Sequence, residues 1–65
     1  MTKRERVMLV VAALGGDEFW VSNVAAASAA HMEDDECEAI LSALIAAGQL
    51  EARTGNVKLS MQSPD

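Results

Sequence analysis

His31, Cys37 and the carboxylates of Glu33, Asp34, Asp35, Glu36 and Glu38 are the residues whose types and spacing could do chemistry. His31 and Asp35 stand at i, i+4, a spacing that suits two metal ligands on one helix. No Cys/His set has zinc spacing, however, and a calcium site would need a glycine-turned loop with alternating oxygen ligands. One His and one Cys on an apolar stripe do not make a nucleophile and base pair. Paired carboxylates on an exposed helix lack the desolvation that separates an acid from a base. Gly15-Gly16 is far from a GxxxxGK[ST] phosphate loop. The expectation is a protein without enzymatic activity, cofactor or metal.

The carboxylates matter instead as a charge distribution. Net charge is −5, and residues 17 to 51 contain Asp17, Glu18, Glu33, Asp34, Asp35, Glu36, Glu38 and Glu51 but no Lys or Arg. The cations Lys3, Arg4 and Arg6 precede that span, and Arg53 and Lys58 follow it. Such a field attracts cationic partners and repels polyanions.

Sixty-five residues form one domain near the lower limit for folding on a hydrophobic core. With Phe19 and Trp20 the only aromatics, that core must come from Val, Leu, Ile and Ala. A single Cys excludes an internal disulfide, in keeping with a cytoplasmic setting. The basic start and the apolar run Val7 to Leu14 resemble a signal peptide in outline, but Glu5 interrupts the basic part and the run is short. It is also too short for the ~20 apolar residues of a membrane span.

Thr2 and Glu5 have capping-box spacing ahead of Val7, Val10, Val11 and Leu14, which predicts a first helix closed by Gly15-Gly16. Met8, Leu9 and Ala12 make its other side apolar too, as deeper core or as a dimer or partner face. Phe19-Trp20-Val21 reads as a short strand, with Trp20 at the core edge or serving as an interface anchor. Ser22 or Asn23 can cap a second, alanine-rich helix from Val24 to about Ala30, and His31-Met32 a turn. A third helix spans about Glu33 or Asp34 to Ala47, with Cys37, Ile40, Leu41 and Leu44 as its buried stripe and Gly48 as its stop. A Gly55-Asn56 hairpin turn would set Thr54 against Val57, Ala52 against Leu59 and Leu50 against Met61, with Arg53 opposite Lys58. Residues 61 to 65 read as a polar tail.

Phe19-Trp20-Val21, Ser22 to Ala30, then Leu41, Leu44, Gly48 and Leu50, and finally Arg53-Thr54-Gly55-Asn56 with Val57-Lys58-Leu59 follow one order. This order, helix, strand, helix, helix, strand, strand, resembles the winged helix-turn-helix superfamily over residues 5 to 61. The resemblance implies a small α+β domain spanning 1 to 65. It also implies DNA binding, with Asp34, Asp35, Glu38 and Ser42 on the reading helix and Arg53 and Lys58 on the wing. The charges disagree with that implication, because DNA affinity comes largely from Lys and Arg on phosphates.

Two functions are therefore expected from the sequence. The leading one is a binding protein, in the style of small phage regulators or inhibitors. It would dock a basic protein surface through Glu33, Asp34, Asp35, Glu36, Glu38 and Ser42, with Trp20 as an anchor, and could so compete with nucleic acid. The alternative is a DNA-binding transcriptional regulator using Lys3, Arg4, Arg6, Arg53 and Lys58 on phosphates, dimeric through Met8, Leu9 and Ala12.

Overall fold

The computed structural model describes residues 1 to 60 as three helices and a three-stranded antiparallel sheet, an α+β arrangement. The helices are α1 (Lys3–Leu14), α2 (Asn23–Ala29) and α3 (Asp34–Ala46); the strands are β1 (Val21–Ser22), β2 (Leu50–Arg53) and β3 (Asn56–Leu59). No helix among these residues is long and apolar enough to cross a membrane. The expected tail from Met61 onward lies outside the described residues.

Local chemistry sets the ends of the helices. The Thr2 hydroxyl accepts from the Glu5 amide at 3.1 Å, and the Glu5 carboxylate accepts from the Thr2 amide at 2.8 Å, completing the capping box of α1. Ser22 both ends β1 and caps α2, accepting from the Ala25 amide at 3.0 Å. Beyond α3, Gly48 takes φ +80°; its amide donates to Ile45 and that of Gln49 to Leu44, each at 3.0 Å. This is the glycine-terminated 6→1, 5→2 pair that turns the chain directly into β2.

Three stripes meet in one core: Val7 and Val11 from α1, Ala26, Ala27 and Ala30 from α2, and Cys37, Leu41 and Leu44 from α3. Val21, Leu50 and Val57 close it from the sheet. The alanines let α2 lie close to its neighbours, so a core with few large side chains is still closely packed. Leu14, expected in the α1 stripe, is half exposed instead, at the helix end where the chain already turns away.

The hairpin departs from the expected register. Leu50 pairs with Leu59, Glu51 with Lys58, Ala52 with Val57 and Arg53 with Asn56. The turn is thus Thr54-Gly55, with φ +26° and +78°, not Gly55-Asn56. Two central residues at positive φ suit the right-handed strand twist. Asn56 belongs to the ladder, where it also faces Ser22 of β1. The shift is by two residues, so the inward face stays the same and the polar Thr54 leaves it for the turn. Arg53 and Lys58 are consequently diagonal neighbours rather than direct opposites.

The first strand is also displaced. Phe19 donates its amide to the Gly15 carbonyl at 3.1 Å as part of a turn, and its side chain is 66% exposed. Pairing starts only at Val21, opposite Val57 in the central strand β3. Gly15 allows this close return: a Cβ there would lie 2.4 Å from the Phe19 carbonyl oxygen and 2.8 Å from Val21 Cγ2.

Candidate functional site

The acidic residues fall where the sequence places them, at the start of α3. Glu33 is the N-cap residue, and Asp34, Asp35 and Glu36 occupy the first turn. Glu33 makes no side-chain cap bond. Glu33, Asp34, Asp35 and Glu38 are exposed, and among the described residues none of the four takes part in an ion pair. Glu36 differs from them. Half-buried toward α1, it is ion-paired with Lys3.

The outward side of α3 continues from Asp35 and Glu38 through Ala39, Ser42 and Ala46, all exposed. After two carboxylates it therefore presents only small side chains. Such a surface lets another chain approach the helix closely, but beyond Ser42 it offers few groups with the reach to read base edges. The negative potential is felt within the core as well. Burial, followed by the charges of Asp34, Glu38 and Glu36, raises the pKa of the Cys37 thiol.

Most of the cations have internal partners. Lys3 is held by Glu36, and Arg6 donates through Nη1 to the Ala30 carbonyl at 3.1 Å, at the C-terminal end of α2. Lys58 Nζ lies 4.7 Å and Arg53 Cζ 5.0 Å from the centroid of the half-buried Trp20 ring. The indole thus draws both hairpin cations to one place, which offsets part of their repulsion. Arg4 is exposed on the outer side of α1.

Met8, Leu9 and Ala12, expected as an apolar face, line a shallow groove on α1 together with Arg4, Glu5, Gln49 and Leu59. Gln49 and Leu59 were not expected there; they meet at the open end of the hairpin, and only tertiary structure brings them to α1. The cation contacts of Trp20 were equally hidden, because they depend on the true hairpin register. Among the described residues no three of His, Cys, Asp and Glu converge on a metal-sized site.

Compared with models of known protein families, with curated proteins and with solved structures, the chain matches none.

Proposed function

We propose that this chain is a non-enzymatic binding protein of winged-helix type whose acidic third helix docks a basic surface on another protein. One observation carries the reading: the charges of opposite sign are engaged unequally. Lys3, Arg6, Arg53 and Lys58 each have an intramolecular partner, whereas Glu33, Asp34, Asp35 and Glu38 stand exposed on α3 outside any ion pair among the described residues. Carboxylates near a helix start favour the helix by ~0.3–1 kcal/mol each when exposed. Mutual repulsion diminishes that return as more are added, so stability is a weak reason for so many. A cationic partner relieves the repulsion, and the small residues Ala39, Ser42 and Ala46 leave room for it along the helix.

A partner surface of that charge commonly holds nucleic acid, which would make this protein a competitor or inhibitor, in the manner of small phage regulators. The test is affinity capture from host lysate with wild type beside the triple variant Asp34→Lys, Asp35→Lys, Glu38→Lys. The wild type is expected to retain a basic protein and the folded variant to lose it. Equal retention by both would overturn the proposal.

The grouping of Arg53 and Lys58 on one ring favours a second reading, a transcriptional regulator contacting DNA phosphates. Titration with mixed-sequence duplex DNA at low salt separates the two. Binding that disappears in Arg53→Ala with Lys58→Ala would replace the first reading with this one.

A further inference from the structure

With the strand order β1, β3, β2, the strand β2 is an edge of the sheet. The Ser60 amide donates to the Gln49 carbonyl at 3.2 Å, which makes Gln49 and Ser60 a hydrogen-bonded pair. Alternation along the antiparallel ladder gives Glu51 with Lys58 and Arg53 with Asn56 the same status. Leu50 and Ala52 therefore turn their backbone N–H and C=O groups away from β3. Among the described residues no backbone bond outside the ladder reaches either of them. Glu51, Ala52 and Arg53 are all exposed, although successive residues point to opposite faces, so this end of the edge is open on both sides.

We propose that β2 is a self-association edge, on which β2 of a second copy of this chain pairs antiparallel about a two-fold axis at Ala52. Ala52 of each copy exchanges both backbone bonds with Ala52 of the other, and the two three-stranded sheets become one. The methyl groups that meet at the axis are too small to obstruct the approach.

Charge selects both the occupant and the register. Glu51 and Arg53 lie on one face of β2, on either side of Ala52. With the axis at Ala52, Glu51 of each copy stands directly opposite Arg53 of the other. These are non-hydrogen-bonded pairs, in which side chains come closest. Because only alternate residues present their bonds to the edge, the strands can slip only by two residues. Such a slip sets Glu51 against Glu51 in one direction and Arg53 against Arg53 in the other, and like charges directly opposite oppose pairing. A row of like charges would ward off a second copy; one charge of each sign flanking Ala52 does the reverse.

Glu51 is available for this pairing. It stands directly opposite Lys58 within the chain, yet no ion pair among the described residues includes it, and Lys58 is turned onto Trp20 instead. Arg53 rests against the same ring, at 5.0 Å. A carboxylate on the neighbouring strand offers it a full opposite charge, where the ring face offers only a partial one.

Two four-residue strands bury little area, at the low end of specific contacts and below roughly 1,200 Å² in total. The dimer is therefore weak and reversible. It uses no residue of α3 and does not depend on what that helix binds.

Sedimentation equilibrium of the full chain, from low micromolar to near-millimolar concentration, tests the proposal together with amide hydrogen exchange at both ends of that range. A monomer–dimer equilibrium is expected, with the Ala52 amide protected only at the high end. Glu51→Arg alone and Arg53→Glu alone should each lose the dimer where wild type forms it, because each sets like charges opposite. An equimolar mixture of those two variants should form a heterodimer, since every charge pair across the edge is again of opposite sign. A chain that stays monomeric throughout would overturn the proposal. So would an Ala52 amide protected equally at both concentrations, which would put the occupant of the edge within one copy. A dimer indifferent to both single variants, or a mixture that stays monomeric, would overturn the register about Ala52.

Discussion

Lys3 and Glu36, 33 residues apart in sequence, form an ion pair that ties the start of α1 to the first turn of α3. It sets Glu36 apart from the four carboxylates proposed to face a partner, although the sequence gives all five the same standing. Both side chains are substantially solvated, so the pair contributes at most ~1 kcal/mol. Glu36→Gln should therefore shift the urea midpoint only slightly and leave partner capture near wild type. Asp35→Asn with Glu38→Gln should weaken capture clearly. Loss of capture in Glu36→Gln alone would show that the contact lies between α1 and α3, not on the outward face.

The capping box gives a pH dependence with a definite sign. Backbone and side-chain hydrogen bonds from Thr2 hold the Glu5 carboxyl below its ordinary value. A group whose pKa is lower folded than unfolded contributes its stability above the unfolded pKa and loses it as pH falls through the folded one. Wild type should thus exceed Glu5→Gln in Tm at neutral pH, and the two curves should converge on acidification below the normal glutamate range. A gap between them that is constant with pH would contradict the charge-assisted cap.

Thr54 sits at φ +26°, an unfavourable conformation for a β-branched residue, in a turn whose second position is already glycine. Thr54→Asn creates the Asn-Gly pair preferred in such turns. It should raise stability by about 0.5–1 kcal/mol in chemical denaturation. A decrease would argue for the Gly55-Asn56 turn that the sequence alone suggests.

Leu44 is wholly buried where the three helices and the sheet meet, and little else in the core is as large. Leu44→Ala should cost ~2–5 kcal/mol, comparable with the whole stability expected of a domain this small. The variant should appear largely unfolded by circular dichroism at 37 °C. Gly15→Ala tests a separate point. The added methyl meets the Phe19 backbone as well as the buried Val21 side chain, so a loss of ~1–3 kcal/mol is expected from overpacking.

Where one local rule acted alone, the sequence was sufficient. Thr2 and Glu5, Ser22, and Gly48 each mark a helix end through bonds within a few residues, and all act as their types suggest. The buried stripe of α3 follows in the same way from 3.6-residue periodicity. The hairpin register was not legible because Thr54-Gly55 and Gly55-Asn56 both place Leu50, Ala52, Val57 and Leu59 on one face. What distinguishes them is the pairing of Val57 with both Ala52 and Val21, a contact between distant segments. From that register follow the diagonal placement of Arg53 and Lys58 and their meeting over Trp20. The acidic turn itself was legible, but the inward engagement of Glu36, Lys3 and Arg6 was not, since each depends on how α1 lies against α2 and α3.

Cys37, the sole cysteine, has a fully buried side chain in the middle of this core. A thiol reagent can reach it only when α3 separates from α1 and α2, and the raised pKa keeps the group in its less reactive protonated form until then. The labelling rate at Cys37 therefore serves as a built-in clock of domain opening under native conditions. Bound to a basic partner of the proposed kind, the protein should run that clock more slowly, and the ratio of the two rates would measure how much such a complex tightens the fold.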